Sequence, residues 1–168
     1  MNKVVSIHTL RFFVLILFQA LIFNHINFMG YINPCIYILF IAFFPIQNNR
    51  ILFLLFAFLL GLGVDLFSDS GGIHAAASLS IAYARPLILK FSFGSMYQNH
   101  SLKFDTVDLG IKITYLALLT LLHHFVLFTL EVFSVVKTIL VLQKTLFSGI
   151  FTILMCVIIS VIFSRTTK

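Results

Sequence analysis

Long apolar segments constrain the fold of this 168-residue chain more than any other feature. Runs such as 51–60 and 146–159 contain no charged residue. Hydrophobic residues make up 61% of the sequence and charged residues only 10%, whereas a soluble domain usually has about 25% charged residues. Because so little polar surface is available to cover a water-soluble globule, the sequence predicts a protein whose surface lies mostly in lipid.

The apolar segments favour helices over a membrane barrel. Inside lipid, backbone polar groups must be paired within the protein, which leaves helices or a closed barrel. Barrel strands alternate in polarity over roughly ten residues, and the continuous apolar runs of this chain do not. We therefore predict an all-α, polytopic integral membrane bundle forming one domain over 1–168, with about six transmembrane helices. The predicted spans are 12–28, 34–46, 51–67, 72–89, 111–130 and 145–163.

Two of the predicted spans depend on particular residues at their ends. Asn33 and Pro34 are the residue types preferred at the N-cap and first position of a helix, so the second span is expected to begin there. It is short for a bilayer that requires about 20 residues. Lys137, Gln143 and Lys144 are expected to divide the C-terminal apolar stretch into an interfacial helix and the last span.

The basic residues predict the orientation of the chain. If six spans begin in the cytoplasm, Lys137 and Lys144 are the only two of 11 basic residues that fall outside. The positive-inside rule then places both termini in the cytoplasm. Arg85 is expected to extend its side chain to the cytoplasmic headgroups. The net charge of +6 is scattered over segment ends, whereas nucleic-acid binding requires a basic patch, so we expect no nucleic acid as a partner.

Small residues recur four apart in two neighbouring spans. Helices in lipid associate by close packing, which small residues allow. We expect the third and fourth spans to pack as a hairpin, and their small residues to form a groove for a partner helix; small residues without a special role are the alternative. The residues are Ala57 and Gly61 in the third span, and Gly72, Ala76, Ser80 and Ala84 in the fourth.

The turn between these spans contains the densest cluster of polar residues, including Asp65, Ser68 and His74. A carboxylate is favoured at a helix N-terminus. Asp65 is therefore expected to accept hydrogen bonds from the first N–H groups of the next helix and from His74, as a structural turn. A proton or ion site and a contact with a partner are the alternatives, since charges within membranes are often functional.

No residue pattern predicts catalysis or a cofactor. The segment 69–72 is similar to a protease nucleophile loop, but the remaining parts of such an enzyme are missing and Ser70 lies in a loop. His123 and His124 are adjacent, and adjacent helical residues point about 100° apart, so we expect no shared metal ion. Cys35 and Cys156 lie in apolar segments and are expected to be buried thiols. The sequence thus disfavours an enzyme.

The central turn resembles the signature of a known family. The ordered set Gly61-x-x-x-Asp65-Leu66-x-Ser68-x-x-x-Gly72-x-His74-Ala75 is similar to the central signature of the rod shape-determining protein MreD family. Chain length, hydropathy and the position of the hairpin near the middle of the chain are similar as well.

This resemblance implies a non-catalytic scaffold in the bacterial inner membrane that takes part in cell elongation and peptidoglycan synthesis. The implied partners are an MreC-like single-span protein, the cell-wall synthase complex and an MreB-type cytoskeleton. The family's fold looks like that of the substrate-binding membrane subunits of vitamin importers. The alternative function is therefore a small-molecule-binding subunit of an uptake transporter, with a pocket lined by Asp65, His74, His123 and His124.

Overall fold

The computed structural model describes residues 2–28, 32–46, 49–98, 104 and 107–165, and these residues are helical apart from turns and loops. The described residues form the α-helices α1 (Asn2–Leu21), α2 (Ile38–Ala42), α3 (Arg50–Ser68), α4 (Ile73–Phe93), α5 (Ser95–Gln98), α6 (Leu109–Val132) and α7 (Thr138–Arg165). Short 3-10 turns lie at Phe23–His25 and Val135–Lys137. The predicted all-α class is confirmed for the described part of the chain.

Three helices are long and apolar enough to cross a membrane by length and composition: α3, α6 and residues 138–162 of α7. α3 has 19 residues, which corresponds to about 28 Å of helix, close to the roughly 30 Å of a hydrocarbon core. Its outward face exposes large apolar side chains, for example Ile51 at 76% and Leu66 at 80%. In water such a surface would be unfavourable. The chain therefore folds as a helical bundle of the membrane type.

The helices α3, α4, α6 and α7 pack as consecutive antiparallel neighbours, with α4 between α3 and α6. α3 and α4 form the expected hairpin, and Gly61 marks their closest approach. A Cβ atom at Gly61 would lie only 2.6 Å from the Cα of Ala75. At the far side of the bundle, Lys144 Nζ of α7 contacts Glu131 Oε1 of α6 at 2.7 Å.

The first helix, α1, runs parallel to α3. Three contacts at successive levels show this: Phe12 with Phe56, Ile16 with Gly63, and Asn24 with Ser68. Because α1 and α3 point the same way, the chain between them must return from the end of α1 to the beginning of α3. Residues 32–46, which we name the crossing segment, make this return through the interior.

The crossing segment is not the helix that the sequence predicted over 34–46. Only its five-residue α2 is helical, which corresponds to about 8 Å. Asn33 does not cap a helix, because its side chain accepts the N–H of Asn27 at 2.8 Å and donates to Asn27 Oδ1 at 3.1 Å. The segment's apolar side chains from Cys35 to Ala42 are all buried by the other helices. Apolar composition here reflects burial in protein rather than contact with lipid.

Two further expectations are wrong. The C-terminal stretch is not divided at Gln143 and Lys144, since α7 is one continuous helix of 28 residues. The interruption lies before it, at the 3-10 turn that ends with Lys137. Arg85 does not extend to the headgroups; it is 3% exposed and faces the crossing segment.

The first span is shifted: α1 covers Asn2–Leu21, so it begins ten residues before the predicted 12–28 and ends seven residues before it, because the helix also includes the more polar residues that precede the apolar run. The limits of α3 and α6 lie close to those predicted, since they extend 51–67 and 111–130 by one or two residues at each end. α4 continues past Pro86 to Phe93.

Candidate functional site

Asp65 is the centre of the turn between α3 and α4. It lies in the last turns of α3 and is 5% exposed. Its Oδ1 accepts the N–H of His74 at 3.0 Å, and its Oδ2 accepts the N–H of Ala75 at 2.9 Å. These are among the first N–H groups of α4, which have no partners within that helix and attract negative charge. Asp65 therefore fixes the N-terminus of α4 against the end of α3.

Two side chains complete the hydrogen bonds of Asp65. The hydroxyl of Ser70 donates to Asp65 Oδ1 at 2.5 Å, and His74 Nδ1 lies 2.9 Å from the same oxygen. The backbone bends sharply here, with positive φ angles at Asp69 (50°) and Gly72 (96°). Glycine tolerates such angles readily. The left-handed residues aim Ser70 back at the carboxylate.

Ser68, which the sequence assigned to this turn, lies outside its hydrogen-bond network. Its hydroxyl accepts a hydrogen bond from Asn24 Nδ2 at 2.8 Å, and Asn24 Oδ1 accepts one from Gln19 Nε2 at 2.9 Å. Ser68 therefore connects the end of α3 to the loop after α1. The serine that belongs to the turn is Ser70, which the sequence analysis considered only as part of a protease-like loop.

Ser70, His74 and Asp65 come together, but their geometry differs from that of a catalytic triad. A triad uses the two imidazole nitrogens separately, one for the carboxylate and one for the hydroxyl. Here both Ser70 Oγ and Asp65 Oδ1 lie 2.9 Å from the same atom, His74 Nδ1. The serine hydroxyl also donates directly to the carboxylate. This arrangement stabilises a helix cap.

The predicted small-residue stripe divides between two environments. Ala57 and Gly61 are buried where α3 meets α4. The other four are only half-buried: Gly72, which precedes α4, and Ala76, Ser80 and Ala84 within it. Their exposed neighbours on α4 include Leu79 (38%), Tyr83 (67%) and Leu87 (74%). This part of the stripe is thus partly accessible beside an apolar surface, and it is not fully buried between α3 and α4.

Gln19 binds the N-terminal end of the crossing segment. The sequence did not identify it. It is 1% exposed. Its Nε2 donates to Pro34 O at 3.0 Å and its Oε1 accepts the N–H of Ile36 at 2.8 Å. The N–H between these two, that of Cys35, donates to Thr152 Oγ1 of α7 at 3.2 Å. Side chains from α1 and α7 thus replace the hydrogen bonds that a helix would have made internally.

Arg85 binds the C-terminal end of the crossing segment. Its Nη2 donates to Ala42 O at 3.1 Å and to Phe44 O at 2.5 Å, while its Nε donates to the hydroxyl of Tyr115 at 3.0 Å. Tyr115 in turn donates to Ala42 O at 2.9 Å. These carbonyls lie at the C-terminus of α2, where positive charge is favoured. The ring of Phe53 lies 5.1 Å from the guanidinium carbon.

His123 and His124 face the interior together with Cys35. All three side chains are buried, and one possible ligand atom from each lies within 4.8 Å of the other two. His123 Nε2 lies 2.7 Å from the hydroxyl of Tyr37. The angular separation of adjacent helical residues did not keep the two rings apart, since their centroids lie 5.3 Å from each other.

A groove of about 360 Å³ opens between the end of α6 and the beginning of α7. Phe125, Thr129, Phe133, Ser134, Thr138 and Val141 line it. The four residues expected to line a pocket in an uptake subunit are elsewhere. Asp65 and His74 bond to each other, and His124 Nδ1 lies 2.9 Å from Thr120 O.

Comparison with known proteins gives no relative from which a function could be transferred. No family model matches the chain, and neither a curated protein nor a solved structure matches it.

Proposed function

We propose that this chain is a non-catalytic scaffold of a bacterial cell membrane that binds a partner by transmembrane helix packing. Its resemblance to the MreD family suggests the setting, which is the complex for cell elongation and peptidoglycan synthesis in the inner membrane. The partner that contacts it would be an MreC-like single-span protein. Through that protein it would be connected to the cell-wall synthases and to an MreB-type cytoskeleton.

The observation that supports this proposal most is that the signature residues together fix the position of α4 against α3. Gly61 allows α4 to approach α3, and Asp65 caps α4 through the N–H groups of His74 and Ala75. Gly72 provides the left-handed angle that precedes α4. Each of these residues fixes the position of α4, and α4 is the helix with an accessible small-residue stripe.

The proposed docking surface is the half-buried stripe formed by Gly72, Ala76, Ser80 and Ala84. Small residues let two helix backbones approach closely in lipid. Ser80 Oγ already donates to Ala76 O at 2.8 Å, so its hydroxyl proton adds no unpaired donor to an apolar contact. The exposed side chains of Leu79 and Tyr83 would border the partner helix.

We also propose that the chain crosses the membrane six times with both termini in the cytoplasm. Five crossings would be helical, by α1, α3, α4, α6 and α7, and one would be made by the crossing segment. Non-helical backbone at membrane depth is tolerated where protein surrounds it. The hydrogen bonds of Gln19 and Arg85 supply that protection at its two ends.

Helix packing by this stripe is tested by co-purification with an MreC-like partner in mild detergent. Ala76→Leu and Ala84→Leu add bulk to the stripe, and Ala117→Leu makes the same change at a half-buried position of α6. We expect the two α4 variants to recover at least tenfold less partner than the wild type, and the α6 variant to recover as much. Equal recovery by all three variants would exclude the stripe as the docking surface.

The scaffold and the uptake subunit are distinguished by deleting the gene. A scaffold of cell elongation is expected to be needed for rod shape or constant cell width. An uptake subunit is expected to be needed for growth without one particular nutrient. Normal cell shape combined with such an auxotrophy would reject the scaffold.

A further inference from the structure

We propose that Cys35, His123 and His124 together bind one thiophilic metal ion in the interior of the bundle. One possible ligand atom from each residue lies within 4.8 Å of the other two. The residues come from parts of the chain 88 and 89 positions apart, and they are exposed by only 5%, 0% and 0%. The proposal does not depend on the scaffold function, because it concerns the interior and not the α4 stripe.

The distances are compatible with an ion after a small contraction. Metal–nitrogen bonds of about 2.0 Å and metal–sulfur bonds of about 2.3 Å place neighbouring ligand atoms roughly 3.5 Å apart. Side-chain rotations that move each of the three ligand atoms by about 1 Å toward a common centre would bring them to the separation that an ion requires. Thiolate and imidazole are ligands typical of Cu⁺ and Zn²⁺.

The surrounding groups hold the ligands as a metal site requires. Metal-binding histidines usually fix their second nitrogen by a hydrogen bond. His124 Nδ1 lies 2.9 Å from Thr120 O and must therefore donate its proton there, which leaves Nε2 with a lone pair. The hydroxyl of Thr152 accepts the N–H of Cys35 and donates to His124 Nε2 at 3.2 Å, a hydrogen bond that an ion would displace. Thr152 thus links two of the three ligands.

His123 provides an independent indication of a ligand. Its Nε2 is paired with the hydroxyl of Tyr37 at 2.7 Å. Its Nδ1 is buried and has no hydrogen-bond partner among the described residues. An unpaired ring nitrogen in a dry interior is unfavourable. If Nε2 donates to Tyr37, Nδ1 has a lone pair without a hydrogen bond from any described residue.

Charge balance favours Cu⁺ over Zn²⁺ at this position. Binding displaces the thiol proton of Cys35, which leaves to water, so the sulfur binds as a thiolate. Cu⁺ with one thiolate and two neutral imidazoles has no net charge, whereas Zn²⁺ with the same ligands has a charge of +1. A net charge in the interior of a membrane protein is costly.

The test uses the full-length protein in detergent under reducing conditions. The protein is incubated separately with Cu⁺ and with Zn²⁺, excess ion is removed by gel filtration, and bound metal is measured by mass spectrometry. We expect about one Cu⁺ per chain in the wild type and less than a tenth of that in Cys35→Ser and His124→Ala. Cys156→Ser is the matched control, because Cys156 is also a buried free cysteine but lies outside the cluster.

X-ray absorption on the copper-loaded wild type tests the site without any variant. One sulfur and two imidazole ligands are expected, and coordination by oxygen or nitrogen alone would overturn the proposal. Retention below a tenth of an equivalent of both ions, or equal loss in Cys156→Ser, would overturn it too. One equivalent of Zn²⁺ in place of Cu⁺, lost with Cys35, would support the site and overturn the assignment of the ion.

Discussion

The turn between α3 and α4 and the crossing segment both contain non-helical backbone with buried hydrogen bonds, but they obtain their partners differently. In the turn, Asp65 bonds to groups at most ten residues away. In the crossing segment, Pro34 O is paired with a side chain 15 residues away, Ala42 O with one 43 residues away, and the N–H of Cys35 with one 117 residues away. The turn is thus a local structure, whereas the segment depends on the whole bundle.

This difference determines how each region should respond to substitution. The turn can lose one hydrogen bond and retain others, since Asp65 accepts from two N–H groups and a hydroxyl. Each end of the crossing segment is held mainly by one side chain that makes two bonds to its backbone, Gln19 at the first end and Arg85 at the second. Thr152 and Tyr115 add one bond each. Loss of Gln19 or Arg85 removes several bonds at once. Substitutions at the segment should therefore be more costly than those at the turn.

The largest effect is expected for Arg85→Met. The substitution removes the donors to Phe44 O and to the hydroxyl of Tyr115, and one of the two donors to Ala42 O. Losing the partner of a buried polar group costs about 1–3 kcal/mol each. We expect the free energy of unfolding to fall by about 3 kcal/mol or more. Reversible denaturation in mixed detergent micelles measures it.

Two variants define what Arg85 contributes. Arg85→Lys keeps the charge but cannot reproduce the planar fork of donors, so we expect an intermediate loss. Lys90→Met is the matched control on the same helix, because Lys90 is exposed, and it should leave stability nearly unchanged. An Arg85→Met protein as stable as the Lys90→Met protein would show that the crossing segment does not depend on this side chain.

The same contrast explains which helices could be predicted from the sequence. α3 and α6 were located to within two residues because each is a long, continuous apolar run, and in the structure each begins at an N-cap. The side chain of Asn49 accepts the N–H of Ile51, and that of Asp108 accepts the N–H of Gly110. The crossing segment has equally apolar residues, but its surroundings are protein. Hydropathy does not distinguish burial in protein from burial in lipid.

The same contrast between local and long-range contacts explains which site residues could be predicted. Asp65 and His74 were identified because they are close in sequence and both stand at a helix boundary. Ser70 was missed in favour of Ser68 because the left-handed angle at Asp69 decides which serine faces the carboxylate. The proximity of Cys35 to His123 and His124 depends on the path of the crossing segment, and so it could not be predicted from helical geometry alone.

A smaller effect is expected for Gln19→Leu. Leucine fills a similar volume but leaves Pro34 O and the N–H of Ile36 without their partner. We expect a loss of about 2 kcal/mol in the free energy of unfolding. Gln143→Leu makes the same change at an exposed position of α7 and should have little effect in the same micelle titration. Similar losses in both variants would contradict the role of Gln19 in holding the segment.

The smallest effect is expected at the turn, and a double-mutant cycle measures it. Ser70→Ala removes one hydrogen bond to the Asp65 carboxylate and should cost about 1.5 kcal/mol, since bonds to charged groups are worth about 1.5–3 kcal/mol. In an Asp65→Asn background the same substitution should cost clearly less, because the two groups share one interaction. Ser68→Ala removes a bond to Asn24 instead, so its cost should be the same with Asp65 or Asn at position 65. Coupling of Asp65 to Ser68 rather than to Ser70 would mean that the turn is organised as the sequence suggested and not as the structure shows.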